Sequence, residues 1–156
     1  MRRTDRAVTD QERVRQLLEE CRVCRLGLWD GREVYIVPMN YGYTFESGRL
    51  TLYFHCAQEG RKLDILAQRL AVSFELDRCG AYTGQGDVPC GYGCHFASIM
   101  GTGTVRFAKT PGEKIAGLKH IMRHVSGREF AFTEEMVQGV AVFSVEASAY
   151  SCKEKA

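Results

Sequence analysis

Apolar and polar residues alternate in six stretches of the chain, and this period of two predicts β-strands. The stretches are rich in β-branched and aromatic residues, which favour extended backbone. Asp30-Gly31 and Ser47-Gly48 follow apolar stretches and are typical of tight turns. The predicted strands cover residues 23–29, 34–37, 50–55, 71–76, 95–107 and 140–147, and we expect residues 41–45 to be extended too.

Three other stretches carry apolar residues three or four positions apart, as on one face of an α-helix. Two of them begin with a capping box, in which a Thr and a Glu side chain each satisfy a free backbone amide: Thr9 to Glu12 and Thr110 to Glu113. The third covers residues 60–70, and a short helix is expected to start at 133–135. Since hairpin-like links join most of these elements, the order predicts an α+β fold, an antiparallel β-barrel in a single domain of residues 1–156.

Residues 79–93 have no periodicity and contain five glycines. Loops of this length are usually functional or mobile, so we expect a loop that acts as a lid, with Tyr82 and Tyr92 as capping side chains. Gly101 and Gly103, within the strand that follows, predict a β-bulge or a sharp bend.

Composition excludes several classes of protein. The chain has 156 residues, of which 45% are hydrophobic and 26% charged, ordinary values for a globular protein and wrong for a disordered one. A net charge of +2 does not suggest a nucleic-acid-binding protein. No apolar run approaches the ~20 residues of a membrane-spanning helix, and the first twenty residues are charged throughout, unlike a secretory signal. We therefore expect a cytoplasmic protein with no membrane or nucleic-acid partner.

Seven cysteines occur in the chain, an odd number that argues against a disulfide framework. Cys21 and Cys24, together with Cys90, Cys94 and His95, could in principle form a tetrahedral zinc site. The alternative is that the thiols are free and largely buried, which is the ordinary state of cysteine in such proteins. We predict no metal site.

Two cations stand where a strand turns into the predicted helix at residue 60. Arg61 and Lys62 fall in the first helical turn, where the positive end of the helix dipole makes cations unfavourable. A bound phosphate would remove this conflict, because free amides and both cations would face it. The alternative is a solvated charge pair that has Asp64 as its neighbour.

Two further segments are candidates for binding or catalysis. Pro38 leaves a strand unpaired, and Asn40 offers a donor and an acceptor that would suit the edge of a heteroaromatic ring. An edge-strand proline followed by a turn asparagine is the plainer explanation. His95 could be catalytic, but a structural hydrogen-bonding role is the more ordinary one.

The sequence resembles the pyridoxamine 5′-phosphate oxidase superfamily of flavoproteins, in particular the branch named for 5-nitroimidazole resistance proteins. The similarity covers nearly the whole chain and depends on four markers in their order: Met1-Arg2-Arg3-x-Asp5-Arg6, Tyr35-Ile36-Val37-Pro38-Met39-Asn40-Tyr41, Tyr53-Phe54-His55-x-Ala57-x-x-Gly60-Arg61-Lys62, and Ser98-Ile99-Met100 leading to Gly103.

This resemblance implies a split β-barrel homodimer that binds FMN at the subunit interface. It implies that the strand around Val37, Pro38, Met39 and Asn40 lines the isoalloxazine ring through backbone and amide groups. It also implies roles for five residues of the later markers: Phe54 and His55 flank the ring or the phosphate, Arg61 and Lys62 hold the phosphate, and Ser98 presents a polar side chain to the flavin.

The resemblance leaves two classes of function. The first is an FMN-dependent oxidoreductase that reduces a small aromatic acceptor of the nitroimidazole or quinone type, with His55 as proton donor. The second is a barrel that stores or senses flavin or haem, with His55, His95, His120 and His124 as potential axial ligands. A pyridoxamine 5′-phosphate oxidase activity is disfavoured, because the Arg-x-His element and the Trp-rich strands of those oxidases are missing.

Overall fold

The computed structural model describes residues 3–84 and 86–155. Met1 and Arg2 of the first family marker and Gln85 of the predicted lid lie outside the described residues. Within them the α-helices are α1 (Gln11–Glu20), α2 (Arg61–Gln68) and α3 (Pro111–Ser126). The strands are β1 (Cys24–Trp29), β2 (Val34–Met39), β3 (Gly42–Glu46), β4 (Arg49–Cys56), β5 (Ala71–Thr83), β6 (Gly93–Phe107) and β7 (Ala141–Lys155). Short 3₁₀ turns occupy Thr4–Arg6, Pro89–Gly91 and Glu135–Val137.

The strands form a seven-stranded sheet in the order β2-β1-β5-β6-β7-β4-β3, and neighbouring strands are antiparallel throughout. Among the described residues the edge strands β2 and β3 do not pair with each other, so the sheet stays open. The predicted α+β class with an antiparallel split sheet is therefore confirmed. None of the described helices has the length and apolar composition that crossing a membrane requires.

Alternate side chains of the strands point into one core, as the period of two predicts. Phe54 of β4 and Phe143 of β7 stack there with ring centroids 5.4 Å apart. Leu17 and Leu18 of α1 are buried in the same cluster. The hydroxyl of buried Tyr41 donates to the carbonyl oxygens of Leu18, at 2.7 Å, and Cys21, at 3.0 Å, and so fastens the end of α1 to the sheet.

Helix α3 packs against β3, β4 and β7 on the side of the sheet away from this core. A second apolar cluster forms there from Leu118, Ile121, Val137 and Val142. The approach is closest at Gly42 of β3, where a Cβ atom would lie 2.2 Å from the backbone carbonyl carbon of His120. A glycine is needed at this position because the helix backbone occupies the space of any side chain.

The predicted loop of residues 79–93 is wrong at both ends. Residues 79–83 continue β5, and the register pairs Cys79 with Phe96, Tyr82 with Cys94 and Thr83 with Gly93. A register shift between Cys79 and Tyr82 accommodates the break in periodicity, so the hydrogen-bonded ladder continues past the glycines. The connection between β5 and β6 spans residues 84–92, and its role as a lid stays a prediction.

Three other predicted features of the strands can be compared with the structure. The bulge expected near Gly101 and Gly103 is confirmed by a register shift between Thr102 and Gly103. Strand β7 continues to Lys155, eight residues beyond its predicted end, because β6 pairs with it along its length. Strand β2 includes Pro38, which an edge strand tolerates since its outer side needs no donor.

Candidate functional site

The beginning of α2 lacks the side-chain cap that most helices carry. Its N-cap is Gly60, with φ +125°, a value that L side chains rarely adopt. Within the described part of the chain, no side chain accepts a hydrogen bond from the first turn of α2. The Gly60 carbonyl accepts from the amides of Leu63, at 2.8 Å, and Asp64, at 3.2 Å. The amides of Arg61 and Lys62 precede any intrahelical partner and point out of the helix end, where they can meet an anion.

Lys62 is half-buried beside Cys56, the last residue of β4. Burial raises the pKa of the Cys56 thiol, and the nearby Lys62 ammonium works in the opposite direction. This pairing places the Lys62 charge where β4 ends and α2 begins. The cation therefore lies at the same corner of the fold as the free amides.

Arg61 is engaged with carboxylates. Its guanidinium donates to Asp30, at 3.0 Å, and to Glu33, and it stacks on the ring of Tyr35 with Cζ 4.7 Å from the centroid. Backbone amides of Glu33 and Arg32, followed by Arg61, lower the pKa of Asp30 to about 2. Arg61 thus ties α2 to the β1–β2 turn, an arrangement that the predicted phosphate role did not include.

The segment of Val37, Pro38, Met39 and Asn40 presents backbone more than side chains. Met39 is buried, Val37 packs against the core, and Pro38 and Asn40 are exposed. Among the described residues β2 pairs with β1 alone, so its outer N–H and C=O groups are open to a ligand. A planar ring that carries donors and acceptors along its edge fits such a strand.

Phe54 and His55, neighbours on β4 for which the resemblance implies contact with the flavin, differ in exposure. The place of Phe54 beside the ring or the phosphate stays a prediction, and in this chain its side chain is 0% exposed inside the core. The physical reason is the strand period, which turns Phe54 inward with Leu52. His55 is exposed on the opposite face, where it pairs with Val142 of β7.

Ser98 and His55 lie on the two strands that flank β7. Ser98 is half-buried on β6 and pairs with Lys153 of β7 and Asp77 of β5. The β7 partners of Ser98 and His55, Lys153 and Val142, are eleven residues apart, about 36 Å of strand at about 3.3 Å per residue. Within one chain these two predicted site residues therefore pair with opposite ends of β7.

The remaining histidines have structural surroundings. His124 is buried, with Nδ1 2.9 Å from the Tyr41 carbonyl and Nε2 3.0 Å from the Leu18 carbonyl, so both ring nitrogens are occupied. His120 stacks on Tyr53 with centroids 4.5 Å apart, and burial, with a smaller effect of Arg123, lowers its pKa. His95 is half-buried on β6.

The cysteines do not assemble the zinc site considered from the sequence. Cys21, Cys24 and Cys152 are buried, and burial raises the pKa of each thiol. Across residues 3–84 and 86–155, no three His, Cys, Asp or Glu side chains are grouped as metal ligands would be.

An apolar surface on the outer side of the sheet was missed by sequence reasoning. Val34, Ile36 and Met100 are 60%, 62% and 51% exposed, and they border a shallow concavity of about 600 Å³ over β1, β2, β5 and β6. Periodicity alone identified these positions as ordinary strand residues. They form one surface because the sheet order places β2 and β6 on either side of β1 and β5.

Comparison with known proteins places this geometry in a family. The family model described as pyridoxamine 5′-phosphate oxidase matches residues 10–154. A search of curated protein sequences gives no significant match.

Three solved structures show the same fold. A candidate 5-nitroimidazole antibiotic resistance protein from Bacteroides thetaiotaomicron is 28% identical, with 95% of this chain and 86% of that chain covered and a TM-score of 0.81. A flavocytochrome from Azotobacter vinelandii is 18% identical, with 100% and 72% covered and a TM-score of 0.78. An FAD and heme binding protein from Mycobacterium smegmatis is 15% identical, with 96% and 73% covered and a TM-score of 0.78. Since the family model spans nearly the whole sheet and all three helices, the chain belongs to the pyridoxamine 5′-phosphate oxidase family.

Proposed function

We propose that this protein binds FMN, with the phosphate at the beginning of α2. The observation that carries the proposal is the uncapped first turn after Gly60, with Lys62 beside it. Free amides at the positive end of a helix bind anions, and a lysine ammonium adds a charge-assisted hydrogen bond. Two proteins of the same fold, a flavocytochrome and an FAD and heme binding protein, support a flavin as the ligand.

In this proposal the flavin ring lies along the outer edge of β2, at Val37, Pro38, Met39 and Asn40. The open backbone groups of an edge strand and the Asn40 amide offer the alternating donors and acceptors that the pyrimidine edge of the ring requires. Arg61 acts as a positioning residue, since Asp30 and Glu33 hold its guanidinium.

We propose further that the site is shared between two copies of the chain. A second copy supplies Ser98 to the flavin that His55 contacts, since within one chain the two residues pair with opposite ends of β7. The exposed Val34, Ile36 and Met100 provide an apolar face that such a copy would cover.

A bound FMN supplies two-electron chemistry to an oxidised partner. A nitro group or a quinone takes up protons as it is reduced, and His55 is exposed at the end of β4, near the helix that holds the phosphate. We propose that His55 donates a proton to such an acceptor. The 28% identical protein described as a candidate for 5-nitroimidazole resistance favours this class of substrate.

Identification of the bound cofactor tests the first part. We expect flavin absorption bands and the mass of FMN in the protein as purified, and tighter binding of FMN than of riboflavin to the protein after cofactor removal. Equal affinity for FMN and riboflavin would contradict the phosphate site. In sedimentation we expect a flavin-loaded dimer, and a flavin-loaded monomer at micromolar concentration would contradict the shared site.

Replacement of His55 tests the reaction. For His55→Gln we expect reoxidation of the reduced protein by a nitroimidazole or a quinone to slow by roughly 10²- to 10⁴-fold, with little change in FMN affinity. Unchanged reoxidation would remove His55 from the mechanism. Formation of pyridoxal phosphate from pyridoxamine 5′-phosphate in air would replace the proposed reaction with an oxidase activity.

Haem binding is a second candidate, because two neighbours of the same fold are a flavocytochrome and an FAD and heme binding protein. His124 is a poor axial ligand, since carbonyl groups occupy both of its ring nitrogens. A Soret band in the purified protein would support this candidate, and its absence from a yellow protein would reject it.

A further inference from the structure

Two cysteines lie on neighbouring strands of the hairpin formed by β5 and β6. Cys79 lies on β5 and Cys94 on β6, on neighbouring antiparallel strands. Cys79 pairs with Phe96, so Cys94, two residues before Phe96, is its diagonal neighbour on the same face, and Gly80 faces His95 so closely that a Cβ at Gly80 would lie 3.1 Å from that of His95. The backbones therefore approach closely where the two thiols stand.

The Cys79 thiol donates to the Gly80 carbonyl at 3.7 Å, and Cys94 is the nearest cysteine across the strand pair. Burial, followed by the effect of Cys94, raises the pKa of Cys79. Cys79 is exposed and Cys94 half-buried, so small reagents reach the pair. The buried Cys21, Cys24 and Cys152 are closed to such reagents.

We propose that Cys79 and Cys94 are a redox modification site that forms a reversible disulfide by exchange with small-molecule disulfides of the glutathione type. One protein thiolate attacks the small disulfide, which forms a mixed disulfide and releases one small thiol. The second protein thiol then attacks the mixed disulfide and releases the other small thiol. The protein loses two protons and two electrons in total, and the small disulfide gains them as it becomes two thiols.

Oxidation cross-links the two strands of the hairpin. The new bond encloses residues 80–93, which include the exposed side chains of Tyr82 and Tyr92. A cross-link of this kind limits how far the segment opens, chiefly by restricting its less ordered states. The effect does not depend on a flavin, so failure of this proposal and failure of FMN binding are separate results.

Thiol counting on the full chain tests the proposal. The protein is equilibrated with mixtures of reduced and oxidised glutathione, alkylated under denaturing conditions, and analysed by intact mass and peptide mapping. The reduced protein has seven alkylatable cysteines. We expect oxidised mixtures to lower this number by two, with Cys79 linked to Cys94, and dithiothreitol to restore it.

Single substitutions identify the pair. Cys90→Ser, a matched control on the same hairpin, keeps the full effect. Cys94→Ser leaves Cys79 as a mixed disulfide with glutathione, since the resolving thiol is gone. Retention of all seven thiols across the glutathione range would overturn the proposal, and so would a disulfide that joins Cys90 to either partner.

Discussion

The beginnings of α2 and α3 solve the same chemical problem in opposite ways. At α3, the Thr110 hydroxyl accepts from the Glu113 amide at 3.2 Å, and the Glu113 carboxylate accepts from the amides of Lys109, at 2.6 Å, and Thr110, at 3.1 Å. At α2 the N-cap is Gly60 with no side-chain acceptor in the described residues, and Arg61 and Lys62 follow it.

Side chains satisfy backbone amides at the start of α3, whereas at the start of α2 no side chain within residues 3–84 and 86–155 does so. The carboxylate of Glu113 supplies at α3 the negative charge that a helix dipole favours, so this end needs nothing from outside the chain. Two cations at α2 are unfavourable for the same dipole. Asp30 and Glu33 compensate Arg61, which leaves Lys62 and the free amides as the groups that gain most from a bound phosphate.

The largest effect is expected where α3 is fastened to the sheet. Gly42→Ala puts a methyl group 2.2 Å from the His120 carbonyl carbon and 2.3 Å from the Ile121 amide nitrogen, both backbone atoms of α3. We expect unfolding free energy to fall by about 3 kcal/mol, measured by urea denaturation. Gly112→Ala, in the first turn of α3, is the control: its Cβ would meet only Thr110 Oγ1, at an ordinary 3.9 Å, and the change should stabilise the protein slightly. Equal stability of Gly42→Ala and the unaltered protein would show that α3 is free to move.

Removal of the cation at α2 should affect ligand binding and leave folding intact. We expect Lys62→Ala to weaken FMN binding by about 1.5–3 kcal/mol, roughly 10- to 150-fold in Kd, because a charge-assisted hydrogen bond to the phosphate is lost. Riboflavin binding should not change. Lys119→Ala, at an exposed position of α3, is the matched control. Parallel losses for FMN and riboflavin would place the Lys62 effect outside the phosphate site.

Removal of a carboxylate partner of Arg61 should change FMN affinity less than Lys62→Ala does, and in the opposite direction. Glu33→Gln removes one of the two carboxylate partners of Arg61, so its guanidinium becomes freer to turn towards a phosphate. Exposed ion pairs contribute up to about 1 kcal/mol, and we expect FMN affinity to rise by at most roughly fivefold in titrations. Weaker FMN binding in this variant would show that Glu33 supports the site instead of competing for Arg61.

The side-chain cap of α3 should contribute less to the free energy of unfolding than the packing of α3 against the sheet. Thr110→Ala removes the hydroxyl that accepts from the Glu113 amide, and we expect a loss of about 1 kcal/mol in unfolding free energy. FMN affinity should be unaffected. A change in FMN affinity comparable to that of Lys62→Ala would mean that the two helix ends are coupled.

The smallest effect is a pH dependence at Glu113. Hydrogen bonds from the Lys109 and Thr110 amides lower its pKa, so its contribution to stability is present at neutral pH and disappears as the pH falls through that lowered value. Glu113→Gln should therefore be less stable than the unaltered protein at neutral pH, with the difference vanishing in acid. Denaturation curves at neutral and acid pH measure this, and a difference that grows in acid would contradict it.

Local sequence was enough to determine most elements and part of the candidate site. The capping box at Thr110 and the bulge near Gly103 were predictable because each depends on residues next to one another in the chain. Arg61 and Lys62 were recognisable as misplaced cations for the same reason, since a helix dipole is a local property.

Tertiary structure decided which of those residues are exposed and which are already engaged by other side chains. Phe54 and His55 are neighbours in sequence, yet strand pleating buries one and exposes the other. Arg61 meets Asp30 and Glu33 across about thirty residues of chain, and no local pattern encodes that contact. The placement of Ser98 and His55 at opposite ends of β7 and of Cys79 diagonally across from Cys94 depends on strand order and register. Strand order and register are set by the burial of the whole sheet, so a reading limited to short stretches of sequence does not contain them.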